Sequence, residues 1–146
     1  MPARNFYNPL MAFLLRSPLH GFASKNLLLL TVTGRRSGKP ITTPVNYVRD
    51  GETLLVVSWK ERTWWRNLRG GAPVTLRLQG RDVRARGEVL EEESAVAEGI
   101  VRLVRAAPAF ASYLKITLDA AGDPADPAAV RAAAGPRVIV QLNDLK

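Results

Sequence analysis

The segment Gly34-Arg35-Arg36-Ser37-Gly38-Lys39-Pro40-Ile41-Thr42-Thr43-Pro44 separates an apolar run, Leu27 to Val32, from a second extended run that begins at Val45. Apolar flanks around a polar insert punctuated by Gly and Pro read as two strands joined by a turn. Gly34 and Gly38 admit positive φ, which turns backbone N–H groups toward one point. Arg35, Arg36 and Lys39 would surround an anion held there. A strand connection has no need of three cations, because like charges repel. A bound phosphate or polycarboxylate accounts for them. A solvated basic hairpin loop is the plainer reading of the same residues.

Working outward from this loop, Asn26 to Thr33 reads as the first strand, its four leucines pointing to burial on both faces over the first half. Ile41 to Arg49 reads as the second, and Asp50-Gly51 as a hairpin turn into a third, Thr53 to Ser58. Trp59 to Leu68 breaks the alternation. Thr63 is the expected N-cap of a short helix carrying Trp64, Trp65 and Leu68, ended by Gly70-Gly71-Ala72-Pro73. Adjacent tryptophans cannot share one helical face, so one is expected in the core and the other at a ligand or partner. Val74 to Leu78 and Asp82 to Leu90 form a second hairpin around Gln79-Gly80. Arg81, Arg84 and Arg86 read as a solvated strand face.

Glu91, Glu92 and Glu93 put negative charge at a helix start, where the backbone dipole favours it. That helix continues to about Ala107 before Pro108, with Val96, Ile100, Leu103 and Val104 at helical spacing. Phe110 to Leu118 is ambiguous. Asp126-Pro127 caps a short helix over Ala128 to Ala133, Gly135-Pro136 stops it, and Arg137 to Leu142 is the last strand, expected to pair with an early one. Near the N-terminus, Asn8 to Leu15 reads as helix and Ser17-Pro18 can restart one. This segment either covers a barrel end or lies on an anionic membrane surface. The first is preferred, since its charges are few. The pattern is α+β, mainly β: six antiparallel strands forming a small barrel, an N-terminal helix and inserted short helices. One domain spans 1–146: a helical segment at 1–25, barrel strands at 26–90, a helical insertion at 91–134 and the closing strand at 137–142.

Composition excludes several chemistries. There is no cysteine, so disulfides, thiol catalysis and thiolate metal sites are ruled out. The single histidine, His20, leaves no basis for a zinc site or a Ser-His-Asp triad, and no metal is expected. A net charge of +8 points to an anionic partner. The basic residues are spread along the chain and no nucleic-acid motif accompanies them, so nucleic acid is not the expected partner. No signal peptide or spanning segment is visible, and a cytoplasmic location is expected, with weak membrane-surface contact through the N-terminal segment as the alternative.

The runs LLTVTGRRSGKPITTPVNYVRDG and VVSWKERTWWRNLRGGAPVTLRL together resemble the deazaflavin-dependent nitroreductase and quinone-reductase family. The resemblance is close over about residues 8 to 90 and looser beyond. It implies a flavin-reductase-like split β-barrel, coenzyme F420 as cofactor, and hydride transfer to a quinone or nitro compound. It implies that Arg35, Arg36, Ser37, Gly38 and Lys39 hold the cofactor's phosphate and acidic tail. Thr42, Thr43 and Pro44 would pass along the cofactor, Ser58 would lie beside its ring system, and Trp64, Trp65 and Asn67 would flank it. A polyanionic cofactor suits fixed guanidinium groups, and a flat apolar ring suits aromatic neighbours. Ser58, Tyr47 and Tyr113 are the candidate proton donors. The sequence departs from the family pattern at Ile41, where relatives carry Arg, and at Asn46, where nitroreducing members carry Tyr. It departs again in Trp59-Lys60-Glu61-Arg62, which is short where relatives are longer and Gly-rich. Related split barrels dimerise, so a homodimer is within the implied range. The alternatives are an FMN-dependent reductase and a non-catalytic barrel that holds a cofactor, haem or lipid.

Overall fold

The computed structural model describes residues 26–78 and 80–146. The N-terminal helices expected from the sequence, and Gln79 of the second hairpin, lie outside the described residues. The described chain is mainly β, a curled antiparallel half-barrel: β1 (Leu27–Thr33), β2 (Pro40–Asn46), β3 (Val48–Asp50), β4 (Thr53–Trp59), β5 (Ala72–Leu78), β6 (Arg81–Leu90) and β7 (Arg137–Asn143). These form a seven-stranded sheet in the order β2-β1-β5-β6-β7-β4-β3, with every pairing antiparallel.

The sequence predicts six strands; the seventh arises because the run Ile41 to Arg49 is two strands. Residues Pro40–Asn46 pair with β1, whereas Val48–Asp50 pair with β4. The two are opposite edges of the sheet, joined by Tyr47 alone. The apolar alternation continues through the break, so periodicity cannot register the change of partner. Tyr47 is buried in the core at 6% exposure, and its N–H donates to the Asn26 carbonyl at 2.9 Å. The last strand takes an early partner as expected. β7 lies between β4 and β6, in register Val56↔Val140 and Val89↔Val140.

Inside the curl, Leu28, Leu30 and Val32 of β1 meet Leu54, Val56, Leu76, Val138, Val140 and Leu142. Each such side chain contributes about 1.5–3 kcal/mol by leaving water. Leu27 and Leu29 are half-buried, so β1 is fully covered on one face only. Across the outer face of β3, β4 and β7 lie α1 (Glu93–Ala106), α2 (Phe110–Tyr113) and α3 (Pro127–Ala134). Helix α1 packs Val96, Ile100, Leu103 and Val104 on Leu55 and Ile139. Asp126 caps α3 as expected, its carboxylate accepting from the Ala128 N–H at 3.0 Å with Pro127 in the first turn. Glu92 is the N-cap of α1, while Glu91 is drawn away to an arginine described below. Among the described residues no helix is long and apolar enough to cross a membrane.

The aromatic segment also differs from expectation. Trp64–Leu68 is a 3-10 helix, and Thr63 makes no side-chain cap bond; its carbonyl accepts from the Arg66 N–H at 3.1 Å instead. Both tryptophans are buried, because the helix plugs one end of the barrel and Leu68 closes on Gly87 and Val74.

Close approach of α1 to β7 depends on Gly99, where a Cβ would lie 2.9 Å from Ile139 Cγ1. Gly99→Val is expected to cost about 1–3 kcal/mol by overpacking, seen as a fall in Tm of roughly 4–10 °C in thermal unfolding. An unchanged Tm would mean that helix and sheet can part without loss.

Candidate functional site

The loop between β1 and β2 is closed on itself. The Gly34 N–H donates to the Lys39 carbonyl and the Gly38 N–H to the Gly34 carbonyl, each at 2.8 Å. Gly38 takes φ +72°, and a Cβ on Gly34 would fall 2.7 Å from Ser37 Oγ. The glycines are therefore required by the turn. A single side chain ties this loop to the 3-10 helix. Asn67 Oδ1 accepts from the Arg35 N–H at 2.9 Å, while its Nδ2 donates to the Trp64 carbonyl at 2.9 Å.

Between loop and helix opens a basic cleft of about 550 Å³, lined by Gly34, Arg35, Arg36, Ser37, Ile41, Thr63, Arg66, Asn67 and Arg69. Its four guanidinium groups are not equivalent. Arg35 Nη2 donates to the Arg69 carbonyl. Arg69 makes a bidentate pair with Glu91, at 2.8 and 2.9 Å. That hydrogen bond holds the Glu91 carboxyl below its ordinary range and raises the Arg69 guanidinium further. Among the described residues Arg36 has no hydrogen-bond or ion-pair partner. The Arg66 guanidinium has no hydrogen-bond or ion-pair contact among the described residues; its carbon lies 5.7 Å from the Trp65 ring, and it adds a weaker electrostatic pull on Glu91. No carboxylate lines the cleft.

A second cavity of about 470 Å³ lies at the seam of the sheet. β3 pairs only with Thr53, Leu54 and Leu55, so among the described residues β4 beyond Leu55 has no strand on that side, and neither does the outer edge of β2. The groove fills this gap. Thr43, Pro44, Val45 and Asn46 form one wall, Val57, Ser58 and Trp59 the other, and Trp64, Phe110 and Tyr113 the ends. The two cavities meet along the chain. β2 passes Ile41 to the cleft and Thr43–Asn46 to the groove, and Arg62 and Trp64 face the groove while Thr63 and Arg66 face the cleft.

The structure thus brings Arg35, Arg36, Ser37 and Asn67 together in the cleft, and Thr43, Pro44, Ser58, Trp64 and Tyr113 in the groove. Other expected residues line neither. Gly38 and Lys39 are exposed at the loop tip. Thr42 turns to β1, its hydroxyl 2.8 Å from that of Thr31. Trp65 points into the barrel end and donates its indole N–H to the Trp59 carbonyl at 3.3 Å. Tyr47 belongs to the core. Arg66, Arg69, Trp59 and Arg62 were not expected from the sequence. Arg66 lies within the 3-10 helix, and Thr63 and Arg69 flank its two ends; all three line the cleft. The α-helical spacing read from the sequence does not report this.

Comparison with known proteins bears on this arrangement. The fold is similar to that of an F420-H2 dependent reductase (FDR-A), with TM-score 0.51 and 19% identity over 80% of this chain and 94% of that one. It is also similar to an FAD and heme binding protein from Mycobacterium smegmatis, with TM-score 0.52 and 17% identity over 88% of this chain; the chain spans 65% of that protein, just under two thirds. A domain-swapped dimer matches with TM-score 0.52 and 16% identity over 98% of this chain and 100% of that one. Identities this low establish a shared fold. The sequence profile of the F420H(2)-dependent quinone reductase family matches residues 18–120, which run through the basic loop, the 3-10 helix and both cavities, and the chain belongs to that family.

Proposed function

We propose that the protein is an F420-dependent oxidoreductase that reduces a small electrophile, a quinone or a nitro compound. The observation that carries this reading is that one segment, Arg62–Asn67, supplies lining residues to both cavities. One is basic and carboxylate-free, and the other is narrow and aromatic. That donor set fits a cofactor with a flat ring and a polyanionic tail. Arg36 and Arg66, whose guanidinium groups make no ion-pair contact among the described residues, would hold phosphate and carboxylate groups. Arg35 and Arg69 are already engaged and would act by holding the walls. Thr43, Pro44 and Trp64 would orient the ring and exclude water.

When bound, the reduced deazaflavin supplies a hydride. The acceptor needs a proton as well, and of the three hydroxyl side chains that line the groove, Thr43, Ser58 and Tyr113, the last two are the candidate donors. Tyr113 is 59% exposed, so a proton passed through it can be replaced from solvent. Tyr47, buried away from the groove, is not assigned this role. Homodimer formation remains part of the proposal, and light scattering on the purified chain tests it directly.

Titration with oxidised F420 and with FMN under identical salt is the first test. Saturable binding of F420 in preference to FMN is expected; preference for FMN would keep the site and change the enzyme class. Arg36→Ala and Arg66→Ala should each weaken F420 binding by about 1.5–3 kcal/mol for the lost charge-assisted contact. Arg35→Ala should in addition lower Tm, because its guanidinium bonds the Arg69 carbonyl. Unchanged F420 affinity in both Arg36→Ala and Arg66→Ala would sink the cleft assignment.

The Glu91 pair gives a pH test. Its carboxyl is depressed in the folded chain, so its contribution is present above the unfolded carboxylate pKa and is lost as pH falls through the folded value. Both partners are more than a third exposed, and solvent screening keeps the effect small. Glu91→Gln should lower Tm by about 1–3 °C at neutral pH, and thermal melts should show the gap closing in acid. A gap that stays constant from neutral pH into acid would exclude this linkage.

A further inference from the structure

We infer that the seam groove seats a planar acceptor carrying a single negative charge, stacked on Trp59 and paired with Arg62. This deepens the reading above and rests on it: Thr43, Pro44 and Trp64 are assigned to the cofactor's ring, and Trp59 and Arg62, lining residues of the same groove that are not assigned to the ring, are given to the acceptor.

The groove lining contains one charged side chain, Arg62, and no carboxylate. Arg62 is exposed, and its guanidinium has no hydrogen-bond or ion-pair partner among the described residues. Its backbone is fixed, the N–H donating to the Trp59 carbonyl at 3.1 Å. Trp59 is 40% exposed, one of two large apolar side chains so presented among the described residues, with Tyr113 of the same groove. Its ring is not loose. The Arg137 guanidinium carbon lies 4.1 Å from the ring centroid, and Arg137 Nη1 is itself held by the Ala133 carbonyl of α3 at 3.0 Å. An aromatic plate backed by an anchored cation is a preorganised stacking surface.

The charge argument selects among acceptors. A neutral planar molecule covering this groove would take Arg62 partly out of water and give nothing back. An acidic substituent on the same ring restores a charge-assisted contact. The basic cleft next door is a different device, with four guanidinium groups suited to several negative charges. The groove offers one cation among aromatic walls, which suits an aromatic acid or an acidic quinone.

Isothermal titration of the full chain at low ionic strength, without cofactor, tests this with menadione and 1,4-naphthoquinone-2-sulfonate as probes. The sulfonate should bind roughly five- to tenfold more tightly than menadione, and the preference should shrink in high salt. Arg62→Gln should abolish the preference while menadione affinity stays within about twofold, since only the ionic contact is removed. Trp59→Ala should weaken both quinones by about tenfold, and Trp59→Phe should restore most of that loss, because stacking serves charged and neutral rings alike. Equal wild-type affinities, no binding of either quinone, or a preference that survives Arg62→Gln would overturn the inference. So would a preference that vanishes in Arg36→Gln instead, which would put the sulfonate in the basic cleft. Failure to bind F420 with the Arg62-dependent preference intact would sink the cofactor reading alone.

Discussion

The chain crosses from one edge of its sheet to the other through a single residue. Asn46 is the last residue paired to β1, Val48 the first paired to β4, and Tyr47 lies between them with its ring in the core. A flat sheet of seven strands would hold those edges roughly 30 Å apart at normal strand spacing, farther than one residue can reach. The covalent link therefore forces the curl. It does so with no strand pairing between β2 and β4 among the described residues. Such edges invite association, and the sequence blunts them. β2 carries Pro40 and Pro44, which remove backbone donors, and β3 is three residues long. The brevity of β3 is also what opens the groove, because a longer β3 would pair with Val57 and Ser58 and close it.

The cleft shows how a protein keeps four guanidinium groups near one another. Two unit charges at 4 Å in water repel by only about 1 kcal/mol, but the cost rises as solvent is excluded. Two of the four are neutralised or spent on structure: Arg69 by Glu91, Arg35 by the Arg69 carbonyl. Arg69 also lies 5.3 Å from the Trp65 ring, so the same residue joins the acidic start of α1 to the barrel plug. The remaining two, Arg36 and Arg66, make no ion-pair contact among the described residues, and only the longer-range pull of Glu91 on Arg66 offsets the repulsion. A bound anion would relieve it, and the wall would be in place before the anion arrived.

Much of this was legible in the sequence. Asp50-Gly51 turns with Gly51 at φ +66°, Gly70-Gly71 ends the 3-10 helix with both glycines at positive φ, and Asp126-Pro127 starts α3. Turn and cap chemistry is local, so a single sequence states it. The basic loop and the aromatic segment were both read as parts of one site, and they meet through Asn67. Three features were not legible, each for a physical reason. The handover at Tyr47 leaves alternation unbroken, since period two reports a face and not a partner. The helix after Thr63 is a single 3-10 turn that ends at Leu68, and Arg69 leaves it in extended backbone, so the α-helical spacing read from the sequence does not report that Arg66 and Arg69 both line the cleft. Thr42 and Trp65 line neither cavity, because Thr42 pairs with Thr31 and Trp65 fills the barrel end, and residue type alone does not report which way a side chain faces.

The short connection between β4 and the 3-10 helix binds these facts together. Lys60 donates its N–H to the Pro136 carbonyl at 2.8 Å, Arg62 to that of Trp59, and Trp65 returns its indole N–H to the same Trp59 carbonyl. Every one of these bonds depends on the segment's length, and an insertion of even a few residues would break the pattern. The bonds keep Trp59 and Arg62 at the groove and bring Thr63 and Arg66 round to the cleft within one turn of chain. One braced segment therefore sets the spacing between the basic cleft and the aromatic-lined groove. Shifting either wall means shifting the other, so the relative placement of the two cavities is a property of this connection rather than of the strands that flank it.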